Sequence, residues 1–142
     1  MKVEKILQAK GADIFSVSPG ASIREAITIL NEKNIGAVIV LSDNGDAVGI
    51  LSERDIVRRL GDKGADALSM TVSDCMTSKM HTCSLDASVD ELMTKMTEQR
   101  IRHLPVTDDG KIVGVVSIGD VVKRKIEEAE QEAAALKEYI AT

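Results

Sequence analysis

The sequence predicts an α/β fold of the α+β type, built from two copies of a strand–helix–strand–strand–helix unit. Three observations predict it. Gly49-Ile50-Leu51-Ser52-Glu53-Arg54-Asp55 returns as Gly114-Val115-Val116-Ser117-Ile118-Gly119-Asp120. The repetition reaches backwards: Ala21-Ser22-Ile23 answers Ala87-Ser88-Val89, Asn34-Ile35-Gly36 answers Arg100-Ile101-Arg102, and Asp43-Asn44-Gly45 answers Asp108-Asp109-Gly110. Within each copy, apolar stripes of helical period alternate with short continuous apolar runs. A period of about 65 residues is longer than that of stacked solenoid units, and only two copies occur. The expectation is two units packed about a pseudo-two-fold axis, which gives two equivalent sites by construction.

The elements follow in order. Val3, Ile6 and Leu7 share one side of a short N-terminal helix that Gly11 ends. Ser16-Val17-Ser18 reads as a short extended piece, and Pro19-Gly20 turns the chain. Ser22 caps a helix carrying Ile23, Ala26, Ile27 and Leu30 at i, i+3, i+4 and i+7. Ala37 to Leu41 is a continuous apolar run with the length of a buried strand. Asp43-Asn44-Gly45-Asp46 is a hairpin turn, Ala47 to Leu51 the returning strand, and a second helix runs from Ser52-Glu53 to about Leu60. Gly61 to Asp66 is expected to be a loop, and Val72 to Thr77 leads into the second copy.

That copy repeats the plan. Val89, Leu92, Met93 and Met96 form the amphipathic stripe, and Leu104-Pro105-Val106 the next strand. Pro105, which has no N–H, belongs at a strand start or an edge. Ile112 to Val116 returns after Asp108-Asp109-Gly110. Beyond Asp120 a single long helix is expected, with Val122, Ile126, Ala129, Ala133, Leu136 and Ile140 alternating steps of four and three. Such a seam buries itself on its own domain or on another subunit. The division expected from the repeat is 1–66, with the N-terminal helix, and 67–142, with the C-terminal helix.

Composition narrows the function. At 142 residues and 44% apolar the chain supports a real core, yet it has one Phe, one Tyr and no Trp. No apolar run reaches the roughly 20 residues of a membrane span, and no signal-peptide pattern is present, so a cytoplasmic protein is expected. The net charge of −5 argues against nucleic acid, and Lys123-Arg124-Lys125 reads as a solvated helix face. Cys75, His81 and Cys83 are too widely spaced and too few for a structural zinc site, so no metal is expected and reduced core cysteines are. The sequence contains no nucleophile elbow, Walker loop or dinucleotide fingerprint, which argues against an enzyme.

Ser52-x-x-Asp55 and Ser117-x-x-Asp120 each fit a helix capping box. They equally fit a ligand site, because a strand feeding a helix N-terminus presents N–H groups to phosphate. An ionised Asp there accepts two hydrogen bonds, which suits the vicinal diol of a ribose. Arg54 is either solvent-facing or a phosphate contact. In the second copy Gly119 replaces it, and Arg102 is the candidate for the missing charge. His103 is a second candidate or a satisfied histidine at the edge of the core.

The two copies resemble the cystathionine-β-synthase (CBS) domain, and the chain looks like a tandem pair of them, a Bateman module. The resemblance rests on Val72-Ser73-Asp74-Cys75-Met76-Thr77, on both Gly-x-x-Ser-x-x-Asp segments, and on Ile101-Arg102-His103-Leu104-Pro105-Val106. It implies a signal-transduction and energy-sensing module that binds AMP, ADP, ATP or NAD(H), sometimes S-adenosylmethionine, and has no catalytic cofactor. It implies nucleotide contacts from Ser52, Arg54, Asp55, Ser117, Asp120, Arg102 and His103, with Pro105 on the ligand-facing strand. Walls for adenine come from Ser16-Val17 and Thr82-Cys83, with Ile35 and Ile101 near. It also implies a homodimer and a regulated partner protein. Most relatives are fused to what they regulate; this chain is expected to be a stand-alone pair with its flanking helices. A ligand-free dimeric scaffold is the alternative from another class, and a nucleic-acid-associated regulator a weaker third.

Overall fold

Each repeat builds a three-stranded sheet from a hairpin and one short parallel strand. The computed structural model describes residues Met1–Ala141. The elements are α1 (Val3–Lys10), β1 (Ser16–Val17), α2 (Ile23–Lys33), β2 (Ala37–Leu41), β3 (Ala47–Ser52), α3 (Glu53–Lys63), a 3₁₀ turn (Gly64–Ser69), α4 (Val72–Cys75), β4 (Cys83–Ser84), α5 (Val89–Gln99), β5 (His103–Asp108), β6 (Lys111–Ser117) and α6 (Ile118–Ala141). The sheet orders are β1-β2-β3 and β4-β5-β6, the first pair parallel and the second antiparallel in each.

The registers of the two sheets correspond. Ser52 stands opposite Ala37 and Ser117 opposite His103. Val17 stands beside Val40 and Cys83 beside Val106. The Ser22 and Ser88 hydroxyls accept the N–H groups of Glu25 and Glu91, each at 3.1 Å, so both amphipathic helices start where their caps predict. Their C-caps, Asn34 and Arg100, adopt the left-handed conformation (φ 53° and 55°) that hands the chain to Ile35 and Ile101.

Two expectations need correction. Gly61 does not end α3, which continues to Lys63; Gly64, at φ 59°, ends it instead. A helical glycine costs about 1 kcal/mol but does not stop a helix, whereas a positive φ does. Pro105 lies inside the central strand, not at its start. Its missing N–H is tolerated because β4 pairs with β5 only from Val106 onwards.

The compact units also differ from the division at 66/67. One comprises Asp13–His81; the other joins Met1–Ala12 to the chain from Thr82 onward. The segment preceding each repeat therefore packs on the other repeat. Val3 N–H donates to the Ala87 carbonyl at 2.9 Å, and Val89 N–H to that of Met1 at 3.0 Å. In the other unit Val72 N–H donates to Ala21 at 2.8 Å, and Ile23 N–H to Met70 at 2.9 Å. Glycines on the returning strands make room for these leaders. A Cβ on Gly114 would lie 2.8 Å from a Leu7 methyl, and one on Gly49 2.6 Å from the Met76 sulfur.

Each unit has its own aliphatic core. Ile23, Ala26, Val38, Val40, Leu51 and Val72 centre one, and Ile6, Val89, Leu92, Leu104, Val106 and Val116 the other. Both cysteines are buried and unpaired, Cys75 in the first-repeat unit and Cys83 in the other. Burial pushes the Cys83 thiol up to about 11, so it stays protonated near neutrality.

Candidate functional site

In the first-repeat unit, β3 runs directly into α3, and Ser52 is both the last strand residue and the helix cap. The Ser52 hydroxyl accepts the Asp55 N–H at 3.3 Å and donates to Asp55 Oδ2 at 3.1 Å. Asp55 Oδ2 also accepts the Ser52 N–H at 3.0 Å, which completes a capping box. Asp55 Oδ1 accepts the Thr77 hydroxyl at 3.2 Å. Thr77 is held there by paired backbone bonds with Ile50, 2.9 Å in each direction. Both oxygens of Asp55 thus have partners within the fold, and the carboxylate is fixed in place. Arg54 lies exposed between Glu53 and Asp55 in the first helical turn.

The corresponding place in the other unit shares the backbone plan and differs in charge. Ser117 N–H donates to Asp120 Oδ2 at 2.9 Å, and Asp120 N–H to the Ser117 hydroxyl at 3.2 Å. Lys10 Nζ, at the end of α1, donates to the same Oδ2 at 2.6 Å and to the Val115 carbonyl at 2.9 Å. The Arg102 carbonyl accepts the Ile118 N–H at 2.8 Å, as Gly36 accepts that of Glu53 at 3.0 Å. This bond brings Arg102 to the start of α6, while half-buried His103 stands opposite Ser117.

The structure therefore gathers Ser52, Arg54 and Asp55 at one helix start and Ser117, Asp120, Arg102 and His103 at the other. The remaining predicted residues are placed less directly. Val17 and Cys83 are 7% and 8% exposed and their side chains belong to the cores, which leaves chiefly backbone for a ligand. The Cys83 thiol faces the Pro105 carbonyl at 3.8 Å. Ser16 is exposed, Thr82, Ile35 and Ile101 are half-buried, and Pro105 is buried. A hollow of about 360 Å³ beside Thr82 and Cys83 is lined also by Glu91, Lys95 and Thr107, so it is more polar than an adenine slot requires.

Lys10 and Thr77 were not among the expected site residues. Only the repeat itself could have pointed to them, by setting the α1 leader against the Val72–Thr77 leader.

Burial is the largest single influence on Asp120 and would raise its pKa. The Lys10 hydrogen bond, the Ser117 N–H and the Lys10 charge together outweigh it, and the carboxyl sits below its ordinary 3.8. A carboxyl lowered by folding stabilises the fold above its ordinary pKa, and that contribution fades as pH falls through the lowered value. Lys10→Met should therefore cost about 0.5 kcal/mol at pH 6, the scale of a pair that keeps contact with water. The difference should close below pH 3.8. Urea unfolding at pH 6 and at pH 3, with an NMR titration of Asp120, measures both. An unmoved Asp120 titration in the variant would contradict the pairing.

Comparison with known proteins identifies the architecture. The CBS domain matches residues 8–62 and again 72–127. A crystal structure of a CBS-domain-containing protein from Agrobacterium tumefaciens is 41% identical, with a TM-score of 0.86 over 87% of this chain and 92% of that one. A CBS domain pair solved with 5′-methylthioadenosine and S-adenosyl-L-methionine is 28% identical, with a TM-score of 0.79 over 90% of this chain and 98% of that one. A CBS domain protein of Pyrobaculum aerophilum complexed with AMP is 28% identical, with a TM-score of 0.74 over 84% and 89%. The chain spans 60% and 57% of the lengths of two curated relatives, 35% and 30% identical to it. Among the described residues no helix is long and apolar enough to cross a membrane. With two matched copies covering most of its length and leader segments exchanged between them, the chain belongs to the CBS domain family as a tandem pair.

Proposed function

We propose that this protein is a non-catalytic regulatory module that binds an adenosine-containing ligand of the AMP, ATP or NAD(H) class and reports its occupancy to a partner protein. The observation that carries the reading is the duplicated carboxylate at a strand-to-helix junction, Asp55 and Asp120, each held by its capping serine. A fixed carboxylate beside helix N–H groups offers acceptors to a ribose diol and donors to a phosphate in one place. The relatives solved with AMP and with S-adenosyl-L-methionine support the ligand class.

The two junctions bind unequally in this reading. Lys10, Arg102 and His103 surround or adjoin the Asp120 junction, whereas Arg54 is the cation beside Asp55. The module acts as a homodimer in the cytoplasm, where its two free thiols persist in reduced form. A ligand signals only as far as it binds two states of the module differently.

The test is ligand-linked stability. At a hundred times its dissociation constant, a ligand specific to the folded state adds about 2.7 kcal/mol. Tm should rise with AMP, ATP, NADH or S-adenosyl-L-methionine, and not with ribose or inorganic phosphate at equal ionic strength. If no adenosine compound moves Tm at millimolar concentration, the protein is instead a ligand-free dimeric scaffold.

A further inference from the structure

We propose that the seam of α6 from Val122 to Ile140 forms a parallel, in-register two-stranded coiled coil with the same helix of a second copy. The inference rests on the dimer proposed above and gives it a surface and an orientation.

One side of α6 belongs to its own unit, where Val121 is fully buried. The seam faces elsewhere. Val122 is 42% exposed, Ile126 53%, Leu136 59% and Ile140 73%, and Ala129 and Ala133 are exposed between them. In heptad terms Ile126, Ala133 and Ile140 occupy a positions, and Val122, Ala129 and Leu136 occupy d positions. Four of these six lie beyond residue 127, where the family match ends, so the seam is chiefly a feature of this chain and not of the domain.

Flanking charges select the partner and the direction. Lys123, Glu130 and Lys137 fall at e; Lys125, Glu132 and Tyr139 fall at g. In a parallel pair each g residue meets the e residue five positions on in the other helix. Lys125 then meets Glu130 of the second copy, and Glu132 meets Lys137, each contact occurring twice. Lys125 already lies 2.9 Å from Asp90, so the Glu132–Lys137 pair carries more of the selection.

An antiparallel pair that keeps all six apolar layers does the opposite. It sets Glu130 against Glu130, Glu132 against Glu132 and Lys123 against Lys137. Sliding it by one heptad removes those clashes but keeps only four of the six seam residues in layers: one way sets Ile140 opposite position 115, which lies in β6 within the folded unit, and the other leaves Val122 and Ile126 with nothing opposite them. Charge and layer count therefore agree only for the parallel arrangement. The small Ala129 and Ala133 layers keep the contact modest, in the micromolar range or about that.

The test uses the full chain. Sedimentation equilibrium should find a dimer at tens of micromolar. Leu136→Glu, on the exposed helix, should weaken it at least about a hundredfold, because it places two buried charges in one layer. Lys137→Glu should weaken it about fivefold, and adding Glu132→Lys should restore it. Under mild oxidation Ala129→Cys should cross-link to itself. A wild-type chain that stays monomeric overturns this surface and the dimer together. A dimer that survives Leu136→Glu overturns the surface alone. Cross-links that form only between Ala129→Cys and Ala133→Cys chains overturn the orientation. AMP titration of Leu136→Glu keeps these outcomes apart from the nucleotide reading, because the junction residues are untouched.

Discussion

Gly49→Ala should lower the unfolding free energy by about 2–3 kcal/mol, while Gly114→Ala should cost about 1 kcal/mol or less. The two glycines hold corresponding places on the returning strands, and each faces the leader segment from the other repeat. They differ in what a methyl group would meet. At Gly49 it would lie 2.6 Å from the Met76 sulfur and 2.9 Å from the Thr77 carbonyl oxygen. The carbonyl is backbone and is tied to the strand, because Ile50 N–H donates to it at 2.9 Å and Thr77 N–H donates back to Ile50. Relief therefore means moving the leader away and losing a two-bond bridge. At Gly114 the nearest atoms are the two methyls and Cγ of Leu7, the far end of a side chain that can change rotamer. Urea denaturation of both variants measures the difference. Equal costs would mean that the Thr77 bridge yields as easily as a leucine rotamer.

The same glycines mark the limit of what the sequence makes legible. Helices, strands and caps were readable because their causes are local: Ser22 and Ser88 cap at three-residue spacing, and the apolar periods change where the elements change. Gly49 and Gly114 are also visible as a repeated pair, but no local pattern says what fills the space they leave. In the structure Met76 and Leu7 fill it. Lys10 was invisible for a related reason, since its contact with Asp120 spans 110 residues and leaves no local pattern. A domain boundary drawn between repeats likewise misses the exchange, because the bonds from Val3 to Ala87 and from Val72 to Ala21 join segments with no shared periodicity. Gly61 misled in the other direction. It carries the signature of a helix stop without the positive φ that makes one, which Gly64 supplies three residues later.

Asp55→Ala and Asp120→Ala should each weaken adenosine-ligand binding at their own junction by about tenfold to a hundredfold, the loss of one charge-assisted hydrogen-bonded group. Their effects on stability should differ. Asp55 accepts from the Ser52 N–H, the Ser52 hydroxyl and the Thr77 hydroxyl, so its removal strands three donors and loosens the Thr77 leader. Asp120 Oδ2 accepts from the Ser117 N–H and from Lys10, and Lys10 keeps the Val115 carbonyl when the carboxylate is gone. Asp55→Ala is therefore the more destabilising of the two. Asp→Glu separates the roles at both sites. Glutamate closes a capping box as well as aspartate does, so stability should largely return. Its longer side chain carries the carboxylate off the position that meets a ribose diol, so affinity should not. Calorimetric titration with AMP beside the unfolding curve of each variant reads both quantities. Recovery of affinity together with stability in the glutamate variants would reduce both aspartates to helix caps, and unchanged affinity in both alanine variants would remove the ligand from these junctions.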